Sequence, residues 1–295
     1  MMSYQLSVIS YQLNEPMREH TTFRVGGPAD VFVEPVDENE LLGVLRECRE
    51  RGYPHFILGN GSNLLVRDGG IRGVVISLLK MTGIRRLDGG EIEAEAGVLM
   101  KDLAEFARLH GLAGLEFLHG IPGSVGGGVF MNAGAYEREM ADIFVSARCI
   151  SKSNEVIDIS FSDMSFSYRK SMAQTEGHVV VSAILQGRAG DAVEIGTKMQ
   201  DLGDLRSAKQ PLESPSAGSI FKRPPGKFAG KLIADAGLRG HIIGGAQVSE
   251  KHCGFIINRG KATAADILSL IEHIQNTVQD KFGIWLETEV KIIGE

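Results

Sequence analysis

Ser219 stands in Ala217-Gly218-Ser219-Ile220-Phe221-Lys222, between Pro215 and Pro224. A serine in a loop ordinarily serves as a turn hydroxyl. Here prolines stiffen the approach and Gly218 gives room, which suits a hydroxyl held still for proton transfer. Two glycine-dense loops lie upstream: Gly59-Asn60-Gly61-Ser62-Asn63, running on to Val66, and Gly120-Ile121-Pro122-Gly123-Ser124-Val125-Gly126-Gly127-Gly128, running on through Asn132-Ala133-Gly134. Without a Cβ the chain can lie close to a ligand and aim N–H groups at it. Two such loops, each with Asn or Ser donors, suit one long phosphate-bearing ligand.

Several familiar sites fail on their own terms. Gly59-x-Gly61 resembles half of a dinucleotide fingerprint, but Leu64 replaces the third glycine and a strand-like run follows where a helix is required. No Gly-Lys-Ser/Thr and no Gly-x-Ser-x-Gly occurs. The eight histidines form no His-Glu-x-x-His, so no metal is assigned. Arg169, in Tyr168-Arg169-Lys170, gains meaning if a carboxylate or enolate must be held, because guanidinium grips such groups bidentately. Glu289 lies on the polar face of a terminal alternating run. Arg206, Lys209, Lys222 and Arg223 flank the Ser219 loop, as an anion clamp or a solvated rim.

The chain of 295 residues is long enough for two domains. Its net charge of −6 argues against a nucleic-acid groove. Three scattered cysteines without Cys-x-x-Cys argue against a disulfide framework and fit a reducing cytoplasm. No membrane span and no signal peptide are read.

The elements that must position these residues alternate irregularly, so α+β is favoured over a doubly wound sheet. Strands are expected over 30–35, 55–58, 73–78, 91–96, 145–151, 155–159, 178–185 and 286–293. Asp37 caps a helix through Cys48, with Glu40 completing a capping box. Further helices are expected over 100–109, from Ala192, around 228–236, and after Thr263, where Ile267, Leu270, Ile271, Ile274, Val278 and Phe282 form one stripe. Residues 1–13 contain Ser-Tyr-Gln-Leu twice and read as a loosely attached extension.

Six segments together resemble one family. They are Asn14–Ala29, Gly59–Val66, Gly114–Tyr136, Phe166–Ser171, Ala217–Pro224 and Leu286–Gly294, in this order. Taken together they are similar to the UDP-N-acetylenolpyruvoylglucosamine reductases, over roughly residues 14–294. The resemblance implies an FAD-binding domain of the vanillyl-alcohol-oxidase type over 14–190, in two α+β subdomains (about 14–82 and 83–190). A smaller α+β substrate domain over 191–284 follows, and 285–295 return to the FAD-binding domain as a strand. It implies non-covalent FAD, NADPH as reductant and reduction of the enolpyruvyl double bond of UDP-N-acetylglucosamine enolpyruvate, giving UDP-N-acetylmuramate for peptidoglycan. A cytoplasmic monomer binding neither nucleic acid nor membrane is the expectation.

By matching motifs, Gly59, Asn60, Gly61, Ser62 and Asn63 and Pro122, Gly123, Ser124, Val125 and Gly126 should line the FAD phosphates. Asn132, Ala133 and Gly134 should lie at the cofactor's inner end. Arg169, Ser219 as proton donor and Glu289 match the catalytic set. Lys209, with Tyr168, Lys222 and Arg223, falls on the substrate side. A subgroup of the family carries an inserted tyrosine loop just after the strand ending near Gln186. Residues 187–206 hold no tyrosine, so this chain resembles the other subgroup. Lys222 or Lys209 would have to make the Ser219 hydroxyl a usable acid. NADPH and substrate are expected to take turns. The rival readings are a covalent-flavin oxidase on the same fold and a nucleotide-binding module without catalysis.

Overall fold

The computed structural model describes residue 4 and residues 6–295. Residues 1–3 and 5, in the expected extension, lie outside the described residues. The chain divides into two compact units. The first comprises 1–12, 32–60 and 74–206; the second comprises 13–31, 61–73 and 207–295. This differs from the expected succession of 14–190 and 191–284, because two early segments group with the last third of the chain.

In the first unit five antiparallel strands lie in the order Val156–Ser160, Phe144–Ile150, Val179–Gln186, Glu91–Glu95, Ile84–Arg86. His55–Leu58 pairs in parallel with Val74 to Ser77. Among the described residues six helices belong here: α1 (Glu38–Glu50), α2 (Met100–Leu109), α3 (Val125–Met131), the short α4 (Phe161–Met164) and α5 (Met172–Glu176), and α6 (Ala192–Lys209), whose last turn passes into the second unit. Asp37 accepts from Glu40 N over 2.9 Å, as expected, but the Glu40 carboxylate takes Val36 N rather than completing the box. The apolar face of α1 buries Leu41, Val44, Leu45 and Cys48. The core runs from Ile92 and Ala94 through Leu103, Leu118, Val125 and Val129 to Ala183 and Leu185.

The segment expected to hang loose is docked where it is described. Leu6 is buried, and both Ser7 N and Ser7 Oγ bond to the Glu47 carboxylate on α1. Tyr4 meets Tyr53 edge to face at 5.0 Å.

The second glycine loop is not a loop throughout. Gly126, Gly127 and Gly128 lie inside α3, against their poor intrinsic helix preference. Tertiary contacts decide the matter. Val125 N and Gly126 N donate to Val98 O and Ala96 O, over 2.8 and 2.9 Å. A Cβ on Gly126 would stand 2.7 Å from that of Ala96. Glycine here lets a helix lie directly on the neighbouring chain.

In the second unit, α7 (Ala229–Asp235) and α8 (Ala264–Phe282) accompany a three-stranded antiparallel sheet, Ile242–Ile243, Ala246–Val248, Ile256–Asn258. Thr263 and Asp266 form a reciprocal capping box on α8. The expected stripe of α8 is buried except for Phe282, which is exposed at the last position of the helix. The Asp68 carboxylate, far away in sequence, takes the next two N–H groups, those of Ala264 and Ala265, each over 2.9 Å. The expected long terminal strand is shorter: only Lys291–Ile293 is regular, in parallel with Leu64–Val66. Residues 286–290 meet a loop segment instead of a full strand. The core gathers Phe23, Leu65, Ile220, Ile233, Ile267, Leu270, Ile274 and Leu286.

All three cysteines are buried and unpaired. Burial pushes the thiols up, to about 11 for Cys48 and about 12 for Cys149. Among the described residues no helix is long and apolar enough to cross a membrane.

Candidate active site

The first unit joins the early residues of both glycine loops. Asn60 Nδ2 donates to Pro122 O over 2.8 Å. A Cβ on Gly59 would lie 2.7 Å from Ser124 Oγ, so glycine is what lets the first loop close down on that hydroxyl. Ser124 is 1% exposed, and its Oγ has no hydrogen-bond partner among the described residues. A buried hydroxyl without a partner is costly, by about 1–3 kcal/mol. It fits a site completed by an acceptor such as a phosphate oxygen. The diphosphate of FAD fits this cradle by the same chemistry. Arg206 of α6 reaches the same loop, donating to Gly120 O, and burial pulls its guanidinium below the usual arginine range.

The stretch expected to run on as one cofactor loop is split between the two ends of α3. Eight residue steps at about 1.5 Å each separate Ser124 from Asn132 by roughly 12 Å. The N–H groups of Asn132 and Ala133 are spent on closing that helix. Gly134 is bare because Glu139 of the facing hairpin strand comes within 2.9 Å of where its Cβ would be. Asn132 is fully buried, and its side chain serves other partners, among them Ser167. Ser167 and Lys170 exchange two 3.0 Å main-chain bonds, which puts Tyr168 and Arg169 at the tip of a tight turn. Arg169 takes φ +58° there, and its guanidinium lies 5.2 Å from the Tyr168 ring.

The second unit brings Ser219 and Glu289 onto adjacent chain segments. Phe221 bridges Thr288, Lys222 N donates to Glu287 O, and Glu289 N donates to Ile220 O over 2.7 Å. Ser219 thus lies one residue from the carbonyl that holds Glu289. On its other side Ser219 bridges Phe255, and Gly254 O receives Ile220 N. Gly218, at φ +72°, makes the preceding turn. Ser219 is held by main chain on both flanks, which sequence could only suggest from the prolines.

The rest of the first loop also belongs here. Gly61, at φ +60°, leaves room for the His20 carbonyl, and Thr22 N donates to Gly61 O. Asn63 Nδ2 donates to Glu289 O. Lys222 Nζ pairs with Glu287 over 3.0 Å, so its charge is already answered. Arg223 lies on the Phe228 ring at 4.7 Å, and Lys209 is exposed at the end of α6. Ser62 follows Gly61 on the same turn. His252, which sequence did not single out, accepts Gly254 N through Nδ1, and burial lowers its pKa. The signal for it was weak, one histidine among eight.

Comparison with known proteins agrees over most of the chain. A family model described as FAD binding domain matches residues 29–160, and one described as UDP-N-acetylenolpyruvoylglucosamine reductase, C-terminal domain, matches 210–293. The UDP-N-acetylenolpyruvoylglucosamine reductase of Clostridium perfringens (strain SM101) is 51% identical over 282 residues, covering 96% of this chain and 92% of the relative. That of Caldanaerobacter subterraneus subsp. tengcongensis is 50% identical over 283 residues, covering 96% and 93%. The crystal structure of the Thermus caldophilus UDP-N-acetylenolpyruvylglucosamine reductase superposes with a TM-score of 0.82 at 35% identity, covering 97% of this chain and 99% of that one. The chain belongs to the UDP-N-acetylenolpyruvoylglucosamine reductase family.

Proposed function

We propose that this protein reduces the enolpyruvyl double bond of UDP-N-acetylglucosamine enolpyruvate at the expense of NADPH, giving UDP-N-acetylmuramate for peptidoglycan in the cytoplasm. The observation that carries the reading at the level of residues is the pairing of the Ser219 segment with the Glu289 segment. It gives a family-matched hydroxyl and a family-matched carboxylate one shared backbone frame.

FAD, when bound, supplies the two-electron relay between NADPH and the double bond. Ser124, Gly59 and Asn60 are the residues that would hold its diphosphate. An enolpyruvyl ether is electron-rich, so the reaction needs negative charge drawn toward the substrate carboxylate. Arg169 answers that charge as it develops, which is electrostatic stabilisation aimed at the intermediate. Ser219 gives its proton to the ether-bearing carbon. Main-chain bonds on both flanks fix that hydroxyl, so little reorganisation is needed when the proton moves. Glu289 completes the set, and Lys209 and Arg223 belong to the sugar-nucleotide side. With no tyrosine in 187–206, closure over the substrate falls to other residues.

A visible absorption spectrum of the pure protein, followed by NADPH oxidation with and without the enolpyruvyl sugar nucleotide, tests the reading. A yellow protein whose NADPH oxidation depends on that substrate supports it. A colourless protein that takes up no FAD, or one indifferent to the substrate, overturns it.

A further inference from the structure

The motif match places Asn132 at the cofactor. Its surroundings give it another task. The residue is 0% exposed. Its side-chain Nδ2 donates to Ser167 O over 3.1 Å, and its Oδ1 accepts Ala141 N over 3.0 Å. Both ends of the amide are therefore used inside the protein. Its main-chain carbonyl faces Arg169 Nη1 at 3.5 Å. Asn132 caps α3 in the left-handed region at φ +43°, which asparagine tolerates better than most side chains.

The neighbours reinforce the same junction. Ser171 Oγ donates to Phe130 O over 2.9 Å, and Gln174 Nε2 reaches Met131 Sδ at 3.1 Å. The last turn of α3 is thus the platform on which residues 167–174 are seated. Of these contacts, only Asn132 grips both the base of the Tyr168–Arg169 turn and the guanidinium at its tip.

We propose that Asn132 is a positioning residue for Arg169: its buried amide pins the Ser167 end of the turn while its carbonyl orients the guanidinium. The proposal rests on the reading of Arg169 given above for its catalytic consequence, but not for its geometry. Displacing a charged group by about 1 Å lowers a rate by on the order of 10²-fold, so substrate turnover should depend on Asn132 without its touching substrate.

Two variants test this. Asn132→Asp keeps the acceptor for Ala141 and tolerates the left-handed cap, but loses the donor to Ser167. Asn132→Gly keeps the cap and loses the whole amide. Each is purified with FAD and probed by limited trypsin digestion, by NADPH bleaching of the flavin, and by flavin reoxidation with the enolpyruvyl sugar nucleotide. Cleavage after Arg169 and Lys170 should quicken in both. FAD content and bleaching should stay within about two-fold, and reoxidation should fall by on the order of 10²-fold. Combined with Arg169→Lys, either variant should add little, because residues acting through one group are not additive. Unchanged trypsin cleavage overturns the positioning, as does loss of FAD or of bleaching, which would make Asn132 a cofactor contact. Quickened cleavage with a fully active Arg169→Lys would leave the positioning standing and sink the catalytic reading of Arg169 instead.

Discussion

Asn63 donates from its side-chain amide to the main-chain carbonyl of Glu289 over 3.1 Å, and its own carbonyl receives Lys291 N over 3.0 Å. A residue of the first glycine loop therefore clamps the segment that carries Glu289. Asn63→Ala removes the side-chain half of this clamp. A typical hydrogen bond is worth about 1 kcal/mol net. Urea unfolding of the variant should show a loss of that order, with the denaturant slope unchanged.

Ser219→Ala should separate the two halves of the catalytic cycle. General acid catalysis contributes roughly 10²–10⁴-fold. Stopped-flow mixing with NADPH should bleach the flavin at the wild-type rate, and reoxidation by substrate should slow by that factor. Equal losses in both steps would remove the proton-donor role.

Ser124→Ala should act with opposite signs on two states. Without cofactor, the variant no longer buries an unpartnered hydroxyl and should melt no lower than the parent. With cofactor, it lacks a donor to the diphosphate, and FAD should bind about tenfold more weakly, equivalent to about 1.4 kcal/mol. Thermal melts of apo-protein and titration with FAD measure both. A lower apo melting temperature with unchanged FAD affinity would show that the hydroxyl has no such task.

Two glycines inside helices should respond differently to alanine. Gly203 in α6 has open space where a Cβ would be, so Gly203→Ala should stabilise by about 0.5–1 kcal/mol through chain entropy. Gly126 gains the same propensity but meets Ala96 Cβ at 2.7 Å and its Cα at 3.3 Å. Overpacking costs typically about 1–3 kcal/mol, so Gly126→Ala should be destabilising on balance. Chemical denaturation of the two variants side by side checks the contrast.

Asp266 gives the fold an acid limb. The Thr263 and Gly245 N–H groups and the Thr263 hydroxyl hold its carboxyl below the usual carboxylate range. A group depressed on folding stabilises above its unfolded pKa and loses that contribution as pH falls through the folded value. Melting temperature should therefore drop on acidification below about pH 4, near the ordinary carboxylate pKa. Asp266→Asn should flatten that limb. An identical acid profile for the variant would assign it elsewhere.

Local signals were enough for much of the architecture. Met100–Leu109 and the helix after Thr263 carry apolar spacing and, for the latter, a cap, and the structure keeps both. Helix α3 carries the opposite local signal, three glycines in a row, and forms because Val98 and Ala96 supply partners from elsewhere in the chain. The terminal run alternates cleanly from Leu286 to Ile292, yet only its end finds a regular strand to pair with. At the site, it was the family resemblance of the motifs that pointed to Ser219, Glu289 and Arg169; residue types alone left Arg169 and Glu289 as ordinary surface groups. What holds each of them lies far off in sequence: Gly254 and Phe255 for Ser219, Asn63 for Glu289, Asn132 for Arg169. Spacing within a motif carries no trace of such long-range partners. The pairing of Lys222 with Glu287 was hidden for a related reason: a charge's partner is set by strand register, and that register was not legible.

The interleaving of the two units limits how this polypeptide can be dissected. A fragment beginning near Ser207 would lack the Leu64–Val66 strand that Lys291–Ile293 lies against, the Asp68 carboxylate at the head of α8, and Phe23 in its core. No single scission yields both halves intact. An excised C-terminal piece would need residues 13–31 and 61–73 spliced back before it could be expected to fold, because the second unit is assembled from three chain segments.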